Sequence, residues 1–145
     1  MRTSTNSIEF KFERTITASP EEIYDAWLNP AVPGTPWNKA DKVIMDPKVD
    51  GLFWFVVVVG YPHSHYGRFT WMDRPGRIQL TWMSPNTMGQ ESAVIVTFEK
   101  KGEETLMTLV HSGLPDTEGG REHEEGWNYF MDLFAEQFVN ETEKK

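Results

Sequence analysis

From Ile8 to Thr17 apolar and polar residues alternate. Ile8, Phe10, Phe12 and Ile16, with Arg14 in the same phase, interleave with Glu9, Lys11, Glu13, Thr15 and Thr17. Period two describes a strand with one buried face. Ser19-Pro20-Glu21-Glu22 comes next: Ser19 suits an N-cap, Pro20 the first helical position, and Glu22 the far side of a capping box. The helix begun there carries Ile23, Ala26 and Trp27 inward and stops before Pro30. Ala31 to Asn38 holds Pro33, Gly34 and Pro36, a turn-rich connection with room for one helical turn.

From Asp41 the pattern is β. Lys42 to Met45 is a short strand and Pro47 to Gly51 a turn. Leu52 to Val59 is apolar in both phases, which predicts a strand covered on both faces. Tyr61-Pro62-His63-Ser64 reads as a break and His65 to Met72 as the next strand. Asp73-Arg74-Pro75-Gly76 has Pro and Gly spaced for a type II turn. Ile78, Leu80 and Trp82 share a face. Ser84 to Gln90 is a polar loop. Val94, Val96 and Phe98, then Met107, Leu109 and His111, share the inward faces of two strands joined tightly around Gly102.

After Pro115 the period changes. Trp127, Phe130, Met131, Phe134, Ala135 and Phe138 recur at helical spacing. Extended back to Thr117, this predicts a helix of roughly 23 residues, about 35 Å long. Glu118, Glu122, Glu124 and Glu125 lie towards its N-terminus, where the dipole favours acids. Successive strands bracketed by helices define an antiparallel α+β fold. The last helix is long enough to cover one sheet face.

Composition narrows the partners. The chain has 145 residues, enough for one domain with a sizeable core. A net charge of −8 argues against nucleic acid and against anionic membrane as partners. The absence of cysteine removes disulfides and thiolate chemistry. The first seven residues are polar, so no signal peptide is expected. The longest apolar run, Leu52 to Val59, falls well short of the ~20 residues of a spanning helix. The expected location is the cytoplasm.

Several segments together resemble a known family. They are Phe12-Glu13-Arg14-Thr15-Ile16 with Ser19 to Trp27; Asp73 to Arg77 with Thr81-Trp82; Val94 to Glu99; Thr108-Leu109-Val110-His111-Ser112-Gly113-Leu114-Pro115; and His123-Glu124-Glu125-Gly126-Trp127-Asn128-Tyr129-Phe130. In this order they are similar to the C-terminal domain of the heat-shock-protein-90 ATPase activator, in the START/SRPBCC (helix-grip, Bet v-like) superfamily. The resemblance implies a curved sheet of about seven antiparallel strands gripping the long helix, with two short helices after the first strand. It implies one domain over the whole chain, with its core at about residues 7–140, and a partly apolar cavity between sheet and helix. Superfamily relatives hold lipids, hormones or polyketides there, and some are cyclases or hydrolases.

The candidate ligand-binding residues are Trp54, Tyr66, Phe69, Trp71, Trp82, His111, His123, Trp127, Tyr129 and Phe130. Strand phase puts His111 beside Met107 and Leu109, and helix phase puts His123 one turn before Trp127. They could orient a ligand or act as a general base; the structural alternative is two histidines bonded locally. No HExxH or carboxylate triad accompanies them, so no metal and no cofactor are expected. Arg14 is either a paired arginine or an anion anchor in the cavity. Gly126, in a helix interior, suggests close approach of sheet or ligand. The leading expectation is a non-enzymatic binder of a small apolar or aromatic molecule. The alternatives are a co-chaperone-like module acting on a chaperone ATPase, and a cyclase or hydrolase using His111, His123 or Tyr129. Monomer and homodimer both remain open.

Overall fold

The structure is a computed structural model, and it describes residues 7–38 and 40–139. Its strands are β1 (Ser7–Ile16), β2 (Lys42–Met45), β3 (Leu52–Val59), β4 (Tyr61–Asp73), β5 (Arg77–Trp82), β6 (Ser92–Lys101) and β7 (Glu104–Pro115). They form one antiparallel sheet in the order β1-β7-β6-β5-β4-β3-β2. Helix α1 (Pro20–Trp27) follows β1, and α2 (Glu118–Glu136) follows β7. The sheet curls around α2, which is the helix-grip arrangement of an α+β fold.

The expected capping box starts α1. Ser19 Oγ accepts from the Glu22 N–H at 3.2 Å, and Glu22 Oε1 accepts from the Ser19 N–H at 3.3 Å. A cap of this kind contributes about 1 kcal/mol. Ile23, Tyr24 and Trp27 are the buried face of the helix. The second short helix expected after α1 does not form. Residues 30–38 are a run of turns, because Pro30, Pro33 and Pro36 remove a backbone donor every third residue. Gly34 sits in this run at φ +91°, and a side chain there would fall on the backbone of Phe134. The turns therefore pack directly against the end of α2.

Trp37 is the hub of the core. It is 1% exposed, and its ring lies 5.5 Å from Trp27, 5.4 Å from Phe53, 5.9 Å from Phe55 and 6.2 Å from Phe69. Its indole N–H donates to the Trp27 carbonyl at 2.8 Å, so burial strands no polar atom. Arg14 ties β1 to α2. Its guanidinium donates to Asp132 at 2.8 Å, to Asn128 at 3.0 Å and to the Glu13 carbonyl at 2.8 Å. Arg14 is thus a strand-to-helix clamp rather than a free cation, and with Asp132 mostly exposed the ion pair is worth at most about 1 kcal/mol.

Four further expectations change. Strand β3 is covered on one face: Phe53 and Phe55 are buried, whereas Leu52 on the outer face is 67% exposed. Its outer phase is apolar, and only Val56 in it is buried. The expected break at Pro62 is absent, and β4 begins at Tyr61. Val59 pairs with Tyr61, so Gly60 alone turns the chain. Pro62 is tolerated because β5 meets β4 no earlier than Phe69, leaving that side of Pro62 without a ladder to interrupt. The β4–β5 connection closes through the Gly76 N–H and the Asp73 carbonyl at 2.7 Å, with Pro75 third in the turn and a cis Arg74–Pro75 bond, in place of the type II turn. Pairing of Asp73 with Arg77 sets that position. Helix α2 spans 19 residues and is capped by Thr117, whose side chain accepts from the Gly120 N–H. Its C-terminal end falls short of Phe138.

Candidate functional site

Between α2 and the inner faces of β4 and β5 lies a cleft of about 160 Å³, lined among others by His65, Trp82, His123, Gly126, Trp127 and Phe130. His111 lies beneath it on β7, fully buried. Strand phase places His111 inward, and register places it beside Val94 of β6 and Phe10 of β1.

The hydrogen bonds around His111 fix its protonation. The Trp127 indole N–H, which can only donate, reaches Nδ1 at 2.9 Å. Nδ1 is therefore bare. Nε2 lies 2.8 Å from Ser92 Oγ, and Ser92 donates its own proton to the Trp82 carbonyl at 2.8 Å. Nε2 must then carry the proton and donate to Ser92. The chain Trp127–His111–Ser92–Trp82 is complete and uses the neutral imidazole. Burial, and secondarily the nearby His123, push the His111 pKa down to about 2. Protonating Nδ1 would also break the bond from Trp127. With both ring nitrogens committed, His111 orients Trp127 and has no lone pair left for acid–base work.

His123 and His65 differ. His123 Nδ1 lies 3.1 Å from the carbonyls of Gly119 and Gly120, so it carries the proton. His65 Nδ1 faces the His63 carbonyl at 3.3 Å and does the same. In the neutral form each ring keeps Nε2 as a lone-pair acceptor. Burial pushes His65 down to about 4, against the opposing bond to His63. Burial also lowers His123, opposed by its bonds to Gly120 and Gly119 and by Glu122. The His65 ring stacks on Phe55 at 4.6 Å and lies 5.3 Å from Trp82. The His123 ring sits edge-on to His111 at 5.1 Å. The Trp82 indole N–H has no acceptor among the described residues.

The ten expected site residues divide by place. Trp82, His111, His123, Trp127 and Phe130 come together at the cleft. Phe69 is in the core against Trp37 and Phe53. Trp54, Tyr66 and Trp71 lie on the outer face of the sheet, and Tyr129 is 52% exposed on α2. Three cleft-lining residues were not among those expected, His65, Asn86 and Glu122, and neither was Ser92, which lies beneath the cleft against His111. Period-two phase from Phe69 points His65 inward, a signal present at the first residue of the expected strand His65 to Met72. A lone serine at a strand start carries no such signal. Outside its own stretch of helix no protein atom lies within 4 Å of where a Gly126 side chain would begin, so the glycine opens the mouth of the cleft rather than admitting the sheet. Among the described residues no three His, Cys, Asp or Glu side chains converge to hold a metal.

A second hollow, about 550 Å³, lies on the outer face over Ile44, Leu52, Trp54, Tyr66, Arg68 and Met83. It is more open and has no histidine.

A curved antiparallel sheet around a long C-terminal helix, with a small cleft between them, defines a helix-grip protein. The profile of the family described as Activator of Hsp90 ATPase homolog 1-like protein matches residues 17–138. The chain belongs to that family. A search of curated proteins finds no match. Solved structures with the same fold include a Chromobacterium violaceum protein, 19% identical with a TM-score of 0.76 over 92% of this chain and 98% of that one. An HSP90 activator from Plasmodium falciparum is 22% identical, with a TM-score of 0.67 over 82% of this chain and 86% of that one. The Aha1 dimer of Colwellia psychrerythraea is 16% identical, with a TM-score of 0.69 over 90% and 96%. Among the described residues no helix is long and apolar enough to cross a membrane.

Proposed function

We propose that this protein binds a small uncharged aromatic molecule, one ring in size and bearing an O–H or N–H donor, in the cleft between α2 and the sheet. The observation that carries the reading is the pair of neutral imidazoles, His65 and His123, each keeping Nε2 as an acceptor beside Trp82 and Trp127. A cleft of about 160 Å³ matches the ~150 Å³ that accommodates benzene and falls below the ~300–1,000 Å³ of drug-sized pockets. Lipids and polyketides are too large for it. Neutral histidines provide no charge to hold a carboxylate, which favours phenol- or indole-like ligands over benzoate. Titrating labelled protein with phenol, indole, toluene and benzoate tests this by NMR. Phenol and indole should shift the Trp127 indole and His123 signals, toluene less and benzoate least. No shift from any of them at millimolar ligand would end the proposal.

The family and the Plasmodium relative favour a second reading, contact with a chaperone ATPase. The outer hollow is the apolar surface available for it, with Ile44 and Leu52 about two-thirds exposed. Stimulation of a chaperone ATPase by the wild type and its loss in Leu52→Asp would support that reading; no stimulation at micromolar protein would remove it.

A further inference from the structure

The edge of the sheet at β2 is complementary to itself. Strand β2 is last in the sheet order, so one side of it has no neighbouring strand. The Asp46 N–H donates to the Leu52 carbonyl at 3.0 Å, and Ile44 and Lys42 pair with Trp54 and Val56 in the same register. Alternate residues of an antiparallel strand turn their backbone groups to opposite sides. Lys42, Ile44 and Asp46 are therefore bonded towards β3, and Val43 and Met45 turn their N–H and C=O groups outward. No bond among the described residues occupies that outward side.

We propose that β2 pairs antiparallel with β2 of a second copy of this chain, about a two-fold axis at Ile44. In that register Val43 exchanges both backbone bonds with Met45 of the second copy, and Met45 with its Val43. Every outward group of the strand is then satisfied. The side chains agree. Ile44, which is 68% exposed, meets its own counterpart on the outer face. Lys42 faces Asp46 of the second copy on that face, and Asp46 faces its Lys42. Half-buried Val43 and Met45 meet on the inner face. The two neighbouring registers lose this match. One sets Lys42 against Ile44, and the other sets Ile44 against Asp46. Charge complementarity therefore selects both the partner and the register. An isologous contact of this kind closes on itself and leaves no free edge on either β2. The outer row of Ile44, Trp54, Tyr66 and Met83, linked by strand pairing, becomes continuous across the axis. Asp46 in the single chain lies 3.5 Å from Lys48, both well exposed, so little is given up when it turns to the partner. A strand of four residues makes a small interface, and the dimer forms in a concentration-dependent equilibrium.

Sedimentation from micromolar to near-millimolar protein should show that equilibrium. Lys42→Asp and Asp46→Lys should each weaken it roughly tenfold by setting like charges opposite one another. The double variant should restore the wild-type constant. In the unmodified protein, amide exchange at Val43 and Met45 should slow as concentration rises, while Lys42 and Ile44 stay constant. This readout needs no variant to fold. A chain that stays monomeric throughout, or a dimer insensitive to both reversals, or concentration-independent exchange at Val43 and Met45, would each overturn the proposal.

Discussion

Two aromatic clusters sit side by side in this protein and behave differently. Around Trp37 the rings of Trp27, Phe53, Phe55 and Phe69 fill the space, and the Trp37 indole N–H ends on a backbone carbonyl. Around Trp82 and Trp127 the rings are interleaved with His65, His111 and His123, and a cleft remains. The difference lies in the polar atoms. A cluster of hydrocarbon rings closes until no void is left, because each gap forfeits dispersion contacts. Imidazoles must keep their nitrogens in hydrogen-bonding geometry, and that directional demand holds walls apart. Aromatic abundance alone therefore does not announce a cavity; aromatics mixed with neutral histidines do.

The largest test of this contrast is Trp37→Ala. Removing the hub should destabilise the fold by about 3–5 kcal/mol in chemical denaturation. A loss below about 1 kcal/mol would mean the core is not centred there. Next comes His111→Ala, which leaves the Trp127 N–H without its acceptor and Ser92 without its donor. We expect a loss of about 2–4 kcal/mol, with a changed near-ultraviolet signal from Trp127. A variant as stable as wild type would show the hydrogen-bond chain to be dispensable.

Acid should separate the clusters as well. His65 and His111 titrate at about 4 and about 2 in the folded protein, against an ordinary 6.5 in the unfolded chain. Below pH 6.5 the unfolded chain therefore binds more protons. Stability is full above that pH and falls as pH drops towards 4, with His111 continuing the loss below. Each histidine adds at most about 1.4 kcal/mol per pH unit to the slope. His65→Phe should flatten the dependence between pH 6 and 4, whereas Trp37→Phe should leave it unchanged; equal slopes in wild type and His65→Phe would contradict the assigned protonation. The smallest effect is expected from Gly126→Ala. It should stabilise α2 by up to about 1 kcal/mol and weaken phenol binding at the cleft mouth, and a destabilised helix would mean that something else occupies that position.

Much of the frame was legible in the chain. The alternation from Ile8 to Thr17 is β1, the Ser19 capping box starts α1, and the 3.6-residue stripe through Trp127 is the buried side of α2. Phase along β7 also turned His111 inward. These features are local: a period of two or 3.6 and a cap depend on neighbours within a few residues. What the chain could not reveal is which face of a strand another element would cover. Trp54, Tyr66 and Trp71 are aromatic like Trp82, yet they face outward, because α2 spans one side of the sheet. Trp37, in a proline-rich turn without periodicity, became the hub because the turns of residues 30–38 fold back over β3 and against α2. The protonation of His111 is equally non-local. It is set by Trp127 from the helix and Ser92 from β6, and hydrogen-bond direction exists only once those groups meet.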